Sequence, residues 1–363
     1  MFKKINFKTD IVQHFAPGWF ASVMGTAVTV VALFVFKDFI PFAASLQFFF
    51  LGMATLLFII FFIPWLLRWF LYFDRVKTTL NHPVSASFYP TMPISLIVIG
   101  IAIEKAPHFL PETVLLPLLQ ILWFAGAAGI AFFAMTILNI KFMKPGVDLK
   151  MANMGWLIPP VSALLVPILG GSLATAYAGT TLGTINLIAS LIFLGIGSLL
   201  FIFVMGAVFT RYISHDLLPA HLAPTIWVGI APTSILAIAA VKFTPVVAAY
   251  FQASEMVKEV FGILGKAMSV SLWGFAFLWT LLAILITLQH HKKINIPFAM
   301  SWWAFTFPLG AFVVSTGVVY GAIGGSFFVW IGLSALGALL IIWSVVFLKT
   351  LRGILSGELL KES

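Results

Sequence analysis

Ten apolar stretches dominate the chain, at about 18–36, 46–70, 91–104, 114–140, 156–177, 185–211, 222–242, 260–289, 297–320 and 325–348, and none places Asp, Glu, Lys or Arg near its middle. About 20 apolar residues cross the ~30 Å hydrocarbon core of a bilayer as a helix. In lipid the backbone polar groups must be satisfied within the segment itself. The sequence therefore predicts an all-α integral membrane protein with ten transmembrane helices. Composition agrees: 62% of the 363 residues are hydrophobic and 9% are charged, against roughly 25% charged in soluble domains. No interval is long or polar enough for a separate soluble domain, so 1–363 reads as a single transmembrane domain. The basic start MFKKINFKTD is not followed by a short apolar region with a small-residue cleavage site, so the first stretch is read as a retained helix.

Charge placement fixes the count and orientation. With the N-terminus inside and the stretches alternating, only Lys37, Lys105, Lys242, Lys258 and Lys266 of the 20 basic residues fall outside. The rest, including Lys3, Lys4, Lys8, Lys144 and Lys361, fall inside. This is the positive-inside bias, and it places both termini in the cytoplasm of a multi-pass protein of the cell (inner) membrane. It also accounts for the formal charge of +9 without a nucleic-acid partner.

Odd and even stretches differ. The odd ones carry proline at or inside their ends: Pro17; Pro90 and Pro93; Pro159, Pro160 and Pro167; Pro224 and Pro232; Pro308. They also concentrate small and hydroxyl residues, among them Ser22, Thr26, Thr91, Ser95, Ser162, Gly171 and Thr233. The even ones are smoother and richer in Leu, Ile and Phe. Five helical hairpins are expected, each with a bent odd helix toward a protein interior and an even helix toward lipid. The ninth stretch, Pro297 to Tyr320, is the sharpest case. It is uncharged, dense in aromatics, and places Pro308 and Gly310 near its middle, where a lipid-facing helix has little use for a bend.

Missing residues narrow the function. Buried carboxylates mark cation pathways and proton relays, and none is expected here. A path lined by hydroxyls, backbone donors and aromatic edges suits an anion or a neutral solute. Without cysteine, thiolate metal sites and cysteine nucleophiles are excluded. There is no HExxH, and the seven histidines (His14, His82, His108, His215, His221, His290, His291) fall in loops or at helix ends, so neither an enzyme nor a metal or cofactor site is expected. His14, His82 and His221 each precede an odd helix on the inner side. There they would attract anions or relay protons, or simply fix a helix start.

Several motifs resemble one family: HFAPGWFASVMGTAV, NHPVSASFYPTMP, GWLIPPVSALLVPILG, HLAPTIWVGIAPTS and SWWAFTFPLGAFVVSTGVVYG, one in each odd stretch. Together they are similar to the tellurite-resistance/dicarboxylate transporter family of malate permeases, sulfite exporters, plant slow-type anion channels and bacterial relatives. The resemblance implies a quasi-five-fold fold in which the odd helices line a central pore. It also implies a homotrimer with one pore per subunit, and a phenylalanine on the ninth helix that plugs the pore. Phe307 is the position carried over, with Phe305 as the fallback. Helical spacing from Phe307 and Gly310 then brings in Trp303 and Val314.

The implied function is transport of a small anion: a C4-dicarboxylate such as malate, sulfite, or a small inorganic anion. The alternatives are a proton-coupled carrier of the monoprotonated anion and a non-transporting membrane sensor or scaffold. A dicarboxylate site would want a cation in the membrane, and Arg211, near the inner end of the sixth stretch, is the nearest candidate. The lack of a more central one weighs against selective dicarboxylate binding.

Overall fold

A computed structural model describes residues 11–107, 109–143 and 148–359; Lys3, Lys4, Lys8, His108, Lys144 and Lys361 lie outside them. Among the described residues, ten helical spans are long and apolar enough to cross a membrane. They are α1 (Pro17–Val35), α2 (Ala43–Leu71), α3 (Ser85–Lys105), α4 (Glu112–Met143), α5 (Met154–Ala176), α6 (Thr181–Ser214), α7 (Ala220–Tyr250), α8 (Glu255–Ile294), α9 (Met300–Ile323) and α10 (Ser326–Ser356). The protein is an all-α integral membrane protein, as the apolar stretches predict. Polar flanks lengthen the even spans: α8 has 40 residues and is ~60 Å long.

The odd–even contrast becomes a difference in burial. The most apolar windows of α1, α3, α5, α7 and α9 are 78–89% buried, those of the even spans 17–39%. The odd spans form a closed ring: α1 packs on α3, α3 on α5, α5 on α7, α7 on α9, and α9 back on α1. Each even span lies against its own hairpin partner and exposes side chains such as Ile59, Phe132, Leu199, Phe203 and Ile341. Such faces suit hydrocarbon, which lets a fold expose apolar surface that water would penalise.

Every odd span begins with a 3-10 turn: Pro17–Trp19, Ser85–Phe88, Met154–Leu157, Ala220–Gly229 and Met300–Phe305. These turns also touch one another in a closed ring at the end where the odd spans start. Their geometry corrects the expectation that Pro308 bends the middle of the ninth helix. Pro93, Pro160, Pro232 and Pro308 are each the third residue of the α-helix that follows the turn. The first N–H groups of a helix have no internal acceptor, so proline there forfeits no hydrogen bond. These prolines mark the step from 3-10 turn to α-helix; Pro167 is the one that lies deeper in its helix.

Indole N–H groups tie odd spans to even ones. Trp343 Nε1 on α10 donates to Thr26 Oγ1 on α1 (2.9 Å), and Trp273 Nε1 on α8 to Thr316 Oγ1 on α9 (2.8 Å). Trp303 Nε1 on α9 donates to Thr350 Oγ1 on α10 (3.0 Å), and Trp227 Nε1 on α7 to Thr287 Oγ1 on α8 (3.0 Å). Each bond contributes about 0.5–1.5 kcal/mol net, and more is lost if a buried partner is stranded.

Candidate functional site

The ring of odd spans encloses a cavity of about 780 Å³. All five odd spans run the same way, so the lowest-numbered lining residue of each lies nearest the ring of 3-10 turns. Those residues are Val28, Val98, Leu165, Ile235 and Phe307, an apolar floor with one side chain from each odd span. At the other end stand Lys37, Asp38, Glu104, Lys105 and Lys242, at or just past the last turns of α1, α3 and the α7 helix Ile230–Lys242. Between mouth and floor the lining is apolar or glycine except for Ser172 and Thr175 of α5. The cavity is thus a vestibule with a charged rim, and Phe307, 6% exposed, is its largest floor side chain.

Phe307, Gly171 and Val314 are the predicted residues that the structure brings to this cavity. At Gly171 the Phe243 ring packs so near the backbone that a Cβ would stand 2.9 Å from it. Phe305, the fallback, packs edge-on against Trp227 (5.2 Å) and Trp302 (5.7 Å), and is not among the cavity residues.

The other predicted lining residues are buried in helix contacts. Gly310 lets α9 approach α1, since a Cβ there would lie 2.4 Å from Val28 Cγ1. Trp303 turns outward to Thr350. Ser22, Thr26 and Ser162 donate to carbonyls of Trp19, Ser22 and Pro159 within their own span. Thr91 Oγ1 reaches Pro17 O (2.8 Å) and Phe88 O (2.6 Å), and Ser95 Oγ reaches Thr91 O (2.8 Å) and Phe20 O (3.3 Å). Thr233 is 4% exposed, and its hydroxyl has no partner among the described residues. For the hydroxyls that do find an acceptor, the i−3 or i−4 carbonyl is the nearest. The hydroxyl pattern therefore records how the helices pack more than what faces the cavity.

The predicted basic residues stand at the end where the odd spans start and are not among the vestibule residues. His82 is exposed, and its Nδ1 accepts from the backbone of Val84 (3.3 Å) and Ser85 (3.2 Å), fixing the turn that opens α3. The carbonyl of exposed His221 accepts from Ser301 Oγ (2.5 Å), linking the opening turns of α7 and α9. His14 is half-buried in a turn before α1. Arg211, 5% exposed, donates from Nε to Lys150 O (3.2 Å). Sequence reasoning missed the rim and, Phe307 apart, the floor. The rim was signalled: three of the five outside lysines close odd stretches. The floor residues Val28, Val98, Leu165 and Ile235 carried no signal, being apolar residues in apolar segments.

Comparison with known proteins places this arrangement among transporters. An uncharacterized transporter of Methanocaldococcus jannaschii is 32% identical across 99% of both chains. A sulfite efflux pump of Arthroderma benhamiae is 23% identical across 96% of this chain and 93% of its own. An S-type anion channel of Arabidopsis thaliana is 25% identical across 70% of this chain and 42% of its own. The voltage-dependent anion channel family model matches residues 14–351, which take in the whole ring of odd spans and the vestibule inside it, and the chain belongs to that family.

Proposed function

We propose that the protein carries small monovalent anions across a membrane through the ring of odd spans, with Phe307 as the constriction. The observation that carries this reading is the vestibule itself. Five parallel spans enclose it, lysines stand at its rim, no acid lies below the rim, and it ends on an apolar floor headed by one aromatic ring. An ion crossing such a floor must shed water against apolar walls. That penalty rises steeply with charge, so a monovalent anion such as chloride, nitrate or hydrogensulfite is favoured over malate. The names of the plant channel and the fungal pump support the anion class. The reading assigns transport without a chemical step.

The finer parts belong to the same proposal. The positive-inside bias supports a cell-membrane protein, acting as one transmembrane domain, with both ends in the cytoplasm and the vestibule facing out. The family resemblance supports a homotrimer with a pore in each subunit. The test is a flux panel in proteoliposomes, using chloride, nitrate, sulfite and malate at two pH values. Monovalent anions should cross fastest. Flux of malate alone, or of nothing, would contradict the reading, and uphill uptake driven by a pH gradient would make the protein a proton-coupled carrier.

A further inference from the structure

Two arginines lie buried at the inner ends of even spans, Arg68 on α2 and Arg211 on α6, 6% and 5% exposed. Neither has a carboxylate partner; the ion pairs among the described residues are Lys77–Asp74, Lys105–Glu104 and Lys258–Glu255. Arg68 still finds acceptors on two nitrogens, Phe15 O (2.5 Å) and Thr79 Oγ1 (3.5 Å). Arg211 differs. Its Nε donates to Lys150 O, while Nη1 is buried and has no partner among the described residues. A guanidinium carries five N–H donors in a planar fork, and here one of them is committed.

Beside Arg211 is a second cavity, of about 500 Å³, lined among others by Lys150, Ser214, His215 and Asp216. Three basic residues thus stand around one acid, at the inner edge of a membrane span. The pocket shares no lining residue with the vestibule, and α6 contributes nothing to the vestibule lining. We propose that this pocket binds a phosphate-type oxyanion, with Arg211 as its main donor and Lys150 and His215 beside it. Nη1 has almost no accessible surface, so the planar fork matches two oxygens of a phosphate at once only when the guanidinium turns toward the cavity, and a desolvated guanidinium holds such a partner strongly. The oxyanion is either the phosphate of an acidic lipid headgroup, which lies at this depth, or a free ion from the inner solution. Occupancy would hold α6 against Lys150, in the segment that leads into the first turn of α5.

The test uses the full-length protein in a neutral detergent and reads the thermal unfolding midpoint. Inorganic phosphate is compared with chloride at equal ionic strength, and short-chain phosphatidylglycerol with phosphatidylcholine. At least one phosphate-bearing probe should raise the midpoint by roughly 2–5 °C. A rise with phosphatidylglycerol alone assigns the site to the headgroup, and a rise with inorganic phosphate assigns it to a free ion. Arg211→Gln should abolish the rise, and Arg211→Lys, which keeps the charge but loses the fork, should weaken the affinity about tenfold. Arg352→Gln removes an exposed charge on the same face and should change nothing. Should Arg211→Gln not fold, Arg211→Lys and Lys150→Gln decide: an undiminished rise in both overturns the site. So does no rise with either probe in the unmodified protein, or an equal loss in Arg352→Gln. None of these readouts involves flux.

Discussion

Replacing Phe307 with alanine separates a constriction from a core residue. The ring is 6% exposed and borders the vestibule floor. On the proposed path the ring has to leave that seat for an ion to pass, and uncovering a buried phenylalanine costs about 1.5–3 kcal/mol. Each ~1.4 kcal/mol is a factor of ten in rate, so Phe307→Ala should raise anion flux by about ten- to hundredfold if ring displacement limits passage. Truncating a core phenylalanine typically costs ~3–5 kcal/mol of stability. This ring already faces a cavity, so the loss should fall at the low end. The assay is chloride flux in proteoliposomes, normalised to folded, inserted protein. Phe305→Ala is the control, since that ring sits between Trp227 and Trp302 and should leave flux unchanged. Unaltered flux in Phe307→Ala, or an equal rise in Phe305→Ala, would refute the assignment.

Three further outcomes follow from the geometry. Trp343→Phe removes the 2.9 Å bond to Thr26 and should destabilise the protein by about 0.5–1.5 kcal/mol, read as a lower unfolding midpoint with flux intact. Gly310→Ala sets a Cβ 2.4 Å from Val28 Cγ1; it should reduce stability or pore closure, and Val28→Ala should partly restore what is lost, measured as a double-mutant cycle. Lys242→Gln takes a rim charge that has no ion-pair partner among the described residues. It should slow anion uptake from the vestibule side several-fold at low salt, with the effect fading as salt screens the rim.

The architecture was legible because membrane physics writes it in large letters. Uncharged apolar stretches give the span count, and the division of lysines gives alternation. Proline and small residues sort odd spans from even ones, which the structure renders as the 78–89% and 17–39% burial classes. The site was less legible, for two physical reasons. A hydroxyl in an odd span satisfies itself on the preceding helical turn, as Thr26 does on Ser22 O, so its presence says little about which way the span faces. Valine and isoleucine, for their part, serve equally as core and as floor. Phe307 was found through a family resemblance, not through its local pattern, which Phe305 shares. The 3-10 turns escaped notice although Trp19, Phe88, Trp156, Trp227 and Trp302 recur in them, because a repeat of one aromatic per ~70 residues has no periodicity to read.

Parallel odd spans also explain how an anion path can do without a buried cation. Each helix carries about half a positive charge at its N-terminus and half a negative one at its C-terminus. Because α1, α3, α5, α7 and α9 all run the same way, their negative ends converge on the vestibule mouth and their positive ends on the ring of 3-10 turns. Left alone, the mouth would repel an anion. Lys37, Lys105 and Lys242 stand at three of those C-terminal ends, and Asp38 and Glu104 offset only part of their charge. With about half a negative charge at each of the five ends, the net single positive charge of these five side chains lessens that repulsion without cancelling it. On the proposed path, the aligned N-terminal ends past the floor would supply the attraction that an arginine would otherwise provide, without binding the ion so tightly that it cannot leave.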